Sequence, residues 1–272
     1  LNGQVILFDK LKTRLDLSPH TPLFHWSKIE RLKLPQDEDI KYIWEPARFG
    51  WVFTLAQAFY LNGDLHYASF LNKMLDEFNR RNPPYLGANW ASAQEAGLRI
   101  MALSFAQHIF SQSAATPSEL LQSIQLSIAI NAARIPPTLC YARSQRNNHL
   151  LSEAVGLYTA GSLLNGFPSA KRWKQRGWNI FCKGILDQID ENGEYIQHST
   201  NYQRLMLDEA IWFTVIAQNE RESLPENVIE KLAQATLYFF NLHDPISGCV
   251  SNLGHQDGSN VLPLVVEDHL DC

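Results

Sequence analysis

No apolar run in the 272 residues approaches the length needed to cross a bilayer, so no membrane span is expected. The basic, apolar and small-residue series of a secretory leader does not open the chain, which starts at Leu1. A signal peptide is therefore expected to be cleaved or never present, and the compartment stays open. Cysteine is sparse. Cys140, Cys182, Cys249 and Cys272 are widely scattered without a CxxC or Cys/His cluster, which argues against a zinc site and leaves buried or incidental thiols as the expectation. Charged residues make up only 19%, and the net charge of −5 argues against wholesale nucleic-acid binding. Period-two alternation is scarce as well, which argues against a predominantly β protein.

What the chain has is helical punctuation. Apolar residues make up 45% and recur at helical spacing after Lys41, in a length that suits one large helical domain in preference to two. A first helix is expected from Glu45 and Pro46, with proline in the first turn, to Asn62 and Gly63; its partner runs over 64–81 and stops at Asn82, Pro83 and Pro84. A third opens at Asn89 as N-cap and carries Glu95 and Arg99 as an i,i+4 pair, with a partner from Thr116 and Pro117. A fifth opens at Asn147 or Asn148 and runs to about Leu164; a sixth follows Pro168 and reaches Asp190, before a turn at Glu191, Asn192 and Gly193. The seventh is expected to start at a T-x-x-Q capping box, Thr200 with Gln203, and the eighth to run over 225–242. The odd-numbered starts, near 45, 89, 147 and 200, make a loose period of stacked helical hairpins, which form either an open solenoid or an α/α toroid. In a toroid the inner N-terminal turns share one rim, which would carry Trp44, Arg48, Trp90, Asn148, His149 and Tyr202. From Asp244 the composition turns to loop, and 262–266 reads as the start of a strand.

Charge is unevenly spread: between Cys140 and Leu186 seven Lys/Arg face the single Glu153. Such a region suits a bound anion, or is a solvated helix face; charge alone does not choose. Asn147, Asn148 and His149 sit at a helix mouth, where free N–H groups and the dipole favour a carboxylate, or where asparagine merely caps. Tyr202, between His198 and Arg204, is either half-buried packing or a catalytic phenol whose pKa Arg204 lowers. Trp44, Trp51 and Trp90 are candidates for stacking on sugar rings or for core packing. Glu45 with Arg48 and Glu95 with Arg99 read equally as ligands or as structural ion pairs.

Four segments together resemble the heparinase II/III-like polysaccharide lyases: IKYIWEPARF at 40–49, NWASAQEAGLR at 89–99, RNNH at 146–149 and GEYIQHSTNYQR at 193–204. NLGHQDGS at 252–259 resembles the family's link to a second domain. The resemblance implies an all-α, incomplete α/α toroid over 41–243, after an N-terminal extension at 1–40. Residues 244–272 would then be a linker and the first strand of a truncated β-sandwich domain. It also implies β-elimination on a uronic-acid-containing, anionic polysaccharide, with Asn148 and His149 neutralising the uronate carboxylate and Tyr202 exchanging protons. Arg48, Trp90, Glu95, Arg146 and Arg204 are the expected substrate-binding residues. No metal or cofactor is expected in this segment. Family members take a further histidine from the β-sandwich, so this stretch alone is expected to bind sugar but to turn over poorly, and a periplasmic or extracellular location is implied. The alternatives are an α/α-toroid glycoside hydrolase using Glu95 with Asp208 or Glu209, and a non-catalytic glycan-binding or surface-polysaccharide assembly protein.

Overall fold

A computed structural model of the chain describes residues 3–7, 11–31, 39–256 and 261–262. The strand expected over 262–266 lies largely outside the described residues. The chain divides into two compact units, Leu1–Pro136 and Pro137–Cys272.

The first unit begins with an antiparallel hairpin of β1 (Gln4–Leu7) and β2 (Leu11–Arg14), followed by a 3-10 turn at Trp26–Arg31. Five α-helices follow: α1 (Lys41–Ala47), α2 (Trp51–Asn62), α3 (His66–Arg81), α4 (Ala93–Ser111) and α5 (Ser118–Arg134). The single helix expected from Glu45 to Asn62 is two. Pro46 lies in the last turn of α1 instead of the first turn of a helix, and the break at Arg48–Gly50 is fixed by Phe49 at φ 63° and by the Trp51 indole donating to the Pro46 carbonyl at 3.0 Å. Helix α4 is apolar and buried around nearly its whole circumference, the pattern of a central helix, whereas α3 is amphipathic and packs against α2 and α5. Phe53 meets Phe105 at 5.0 Å and Phe59 meets Phe110 at 4.5 Å, so α2 and α4 run in the same direction.

The second unit holds α6 (Leu139–Gln145), α7 (Asn148–Leu163), α8 (Ala170–Gln188), α9 (Thr200–Asn219) and α10 (Glu226–Asn241). Helices α7 and α8 form an antiparallel hairpin at backbone contact. A Cβ on Gly177 would lie 2.5 Å from the Tyr158 nitrogen and one on Gly161 2.3 Å from the Lys174 nitrogen, so only glycine admits this approach. Helix α9 packs on the other side of α7 and parallel to it, because Ser152 meets Glu209 and, further along both helices, Thr159 accepts from the Trp212 indole at 3.0 Å. Phe213 fills the space between α7 and α8, stacked on Phe181 at 3.9 Å and on Tyr158 at 4.2 Å. Among the described residues no helix is long and apolar enough to cross a membrane. Cys140 and Cys182 are free, whereas Cys249 is disulfide-bonded, contrary to the expectation of incidental thiols throughout.

Candidate functional site

Parallel packing of α7 and α9 sets their N-terminal turns side by side, and the loop between α8 and α9 ties them together. Gln197 in that loop accepts from the Asn148 backbone N–H at 2.8 Å, and Asn147 caps α7 by accepting from the His149 N–H at 3.1 Å. The first N–H groups of α7 are therefore occupied by the protein's own side chains. The expectation of free backbone donors for an anion is corrected to this extent: the dipole remains, but contact falls to side chains. Asn148 is 5% exposed, yet its carboxamide makes no hydrogen bond among the described residues. The carboxamide atoms are not sealed from solvent, so the amide can donate to a group arriving from outside. His149 beside it is half-buried.

Tyr202 enters from the first turn of α9. The N-cap is Ser199, whose hydroxyl accepts from the Tyr202 N–H at 3.2 Å, and not the expected Thr200–Gln203 box. Gln203 instead points inward: its amide donates to the Gly193 and Ala235 carbonyls and accepts from the Tyr195 N–H at 2.8 Å. Thr200 is spent on the segment 251–255, donating to the Ser251 carbonyl at 3.0 Å while its N–H donates to Leu253 at the same distance. The Ser199 hydroxyl donates to the His255 carbonyl at 2.6 Å, and Gly254, at φ 75°, lets the strap pass within a Cβ's clash distance of His198. The outcome is a His255 ring stacked on Tyr202, 6.0 Å between centroids and 19° from parallel. The half-buried phenol thus has an imidazole neighbour that sequence reasoning passed over; the pattern NLGHQDGS marked the segment but not the stack.

Arg204 follows Tyr202 by two positions on α9; its guanidinium donates to Asn201 at 3.1 Å, and its charge acts on Asp208. Burial nevertheless pushes the Asp208 carboxyl up to about 6, the Arg204 cation opposing it. Glu209, fully buried, accepts from the Ser152 hydroxyl, which also reaches the Asn148 carbonyl at 3.0 Å; burial, with a smaller push from Asp208, takes Glu209 up to about 8 although the Ser152 hydrogen bond pulls the other way. Tyr195, sealed in the interior with its hydroxyl donating to Gln188 at 2.7 Å, is held well above the usual phenol range by burial, by Glu209 and by the nearby Tyr202. Arg146, at the C-cap of α6 in a left-handed conformation, is exposed and donates to the Asp187 carbonyl at 3.2 Å.

The remaining expected binding residues lie in the first unit. Arg48 is gripped by two carboxylates, Glu95 at 2.7 and 2.9 Å and Glu45 at 2.5 Å. Glu95 is 1% exposed and pairs with Arg48, not with Arg99, so it is a structural anion and not a sugar ligand. Arg99 spends its donors on Asn131, Ala47 and Asn89, and burial lowers its pKa to about 10. Trp90 is 2% exposed, donates to the Asn82 carbonyl at 3.2 Å and lies under the Arg99 cation, which corrects its reading as a sugar platform. Asn89 is no N-cap; it is buried and donates to Asn82, while Ser92 precedes α4. The indoles of Trp44 and Trp51 donate to the Ala88 and Pro46 carbonyls. Among the described residues no group of three His, Cys, Asp or Glu is placed to hold a metal.

The fold is shared with solved structures. Heparinase III matches with a TM-score of 0.66 at 22% identity, covering 78% of this chain and 33% of that one. A heparan sulfate lyase from Pedobacter heparinus matches with a TM-score of 0.58 at 20% identity, over 78% of this chain and 34% of its own. The fold is an all-α, incomplete α/α toroid of stacked helical hairpins. Residues 17–252 match the model of the heparinase II/III N-terminus, and the chain belongs to that family. It is also 24% identical over 217 residues to a heparin-sulfate lyase of Bacteroides thetaiotaomicron, covering 75% of this chain and 30% of the relative, so it spans about a third of the length of the proteins it matches.

Proposed function

We propose that this chain is the helical part of a polysaccharide lyase that cleaves an anionic, uronic-acid-containing glycan by β-elimination, working with a further domain such as the longer relatives have room for. The observation that carries the reading is the open Asn148 carboxamide and the Tyr202 phenol on adjoining first turns of two parallel helices, tied through Gln197. The C5 hydrogen of a uronate is hardly acidic while the neighbouring carboxylate is fully charged. Donors from Asn148 and His149 aimed at that carboxylate stabilise the enolate-like intermediate as negative charge develops. A base then takes the C5 proton, the C5–H electrons form the C4–C5 double bond, and the C4–O4 bond breaks with its electron pair leaving on O4. Tyr202 supplies the proton that O4 needs, or takes the one from C5, according to the sugar's configuration. The competing hydrolase needs two carboxylates facing the scissile bond, but Glu95 is locked to Arg48 and Glu209 is fully buried against Ser152.

The test is to incubate the full-length protein with heparan sulfate, alginate and other uronic polymers and to follow absorbance of the unsaturated uronide. A rise that vanishes in Tyr202→Phe supports the reading. No rise on any uronide, with binding retained in both proteins, indicates a glycan-binding role instead.

A further inference from the structure

The basic excess around residues 140–186 lines an open groove within the second unit. One part, about 560 Å³, is walled by Arg143, Lys171, Arg172 and Arg176; the adjoining part, about 440 Å³, shares Arg143 and adds Arg146 and Lys183. Across both, six cations face the single carboxylate of Asp187. Arg143, Lys171, Arg172, Arg176 and Lys183 are exposed and have no hydrogen-bond or ion-pair partner among the described residues. This is not how α8 treats a cation elsewhere: Lys174, on its other face, is paired with Glu220 at 2.7 Å and Glu222 at 3.2 Å.

Arg172, Arg176 and Lys183 fall at i, i+4 and i+11, so they form one stripe along α8, about 16 Å long at 1.5 Å per residue. Like charges four residues apart destabilise a helix unless something neutralises them. Among the described residues no side chain supplies it. The far end of the groove is lined by Leu150, in the first turn of α7, and by Gln188, which accepts from Tyr195. The track therefore runs up to α7, which carries Asn148, and to the end of α8 that is bonded to the loop ahead of α9.

We propose that this groove is an ancillary binding track for an anionic polysaccharide, which holds the polymer beyond the candidate site by its carboxylate or sulfate groups. The assignment of the polyanion rests on the lyase reading. None of the residues lining the groove is aromatic, so it offers no platform on which nucleic-acid bases would stack.

The experiment measures binding of fluorescein-labelled heparan sulfate to the full-length protein by anisotropy across a salt series, for the parent and for the triple variant K171A/R172A/R176A. The expected result is a loss of affinity on the order of tenfold and a shallower salt dependence in the variant. Its KM for long polymer rises, while kcat and the KM for a short oligosaccharide stay at parental values. Unchanged affinity and salt slope in a variant with parental circular dichroism overturn the proposal, as does a DNA duplex that binds as tightly as the polysaccharide and by the same three residues. Because anisotropy needs no turnover, groove-dependent binding without any unsaturated product would retire the lyase reading and leave the track standing.

Discussion

At the scale of single residues, the second unit separates the side chains proposed to act on the sugar from those that hold them in place. Tyr202 is fixed from two sides, its N–H by Ser199 and its ring by His255. Tyr202→Phe keeps the stack and removes only the hydroxyl. Its turnover should therefore fall by at least about 10²-fold with the circular dichroism spectrum unchanged; a variant that keeps more than a tenth of the parental rate would remove Tyr202 from the proton path. Ser199→Ala removes the N-cap of α9 together with the strap's bond at His255, leaving those of Thr200. It should cost about 1 kcal/mol in urea unfolding and also lower kcat, since His255 is no longer held beside the phenol.

At the scale of elements, helix positions were legible in the sequence and their caps only partly so. Asn147 does cap α7, one of the two asparagines between which the sequence left the choice open. STNYQR offers two hydroxyls in succession, and tertiary partners 51 to 56 residues away decided between them: the Ser251, Leu253 and His255 carbonyls took Thr200 and Ser199 into a strap. The break between α1 and α2 was hidden for a similar reason, since Phe49 has no intrinsic taste for positive φ and is held there by packing. Of two motifs that resembled a binding rim, the one around Trp90 is an interior network, and in the one around Arg48 the half-buried guanidinium is held by Glu45 and Glu95. Sequence shows residue type but not depth. The α7–α8 hairpin gives the sharpest test at this scale. In Gly177→Ala the new methyl would meet the Ala154 carbonyl at 2.6 Å as well as the Tyr158 nitrogen, so the helices must separate. A loss of about 1–3 kcal/mol is expected, which thermal denaturation would register at roughly 2–4 °C per kcal/mol.

At the scale of the whole molecule, the buried acids beneath the site make stability depend on pH. Glu209 titrates at about 8 in the folded chain against an ordinary 4.5, and Asp208 at about 6 against 3.8. Both folded values are raised, so the folded state holds protons that the unfolded chain has released. The linkage slope is then negative: the contribution is fully present below about pH 4, falls as the pH rises, and is lost once it passes about 8. Glu209→Gln keeps the shape and the Ser152 hydrogen bond while removing the ionisation. Any constant cost of the new amide shifts the variant equally at every pH, and Asp208, which ionises before Glu209, does so beside a neutral group in both proteins. The difference in unfolding free energy between variant and parent should therefore move steadily in the variant's favour from pH 5 to pH 8, read by urea denaturation at each pH. A difference that stays flat over that window would mean that Glu209 is ionised in the folded protein, and that its link through Ser152 to the backbone of Asn148 carries a charge instead of a proton.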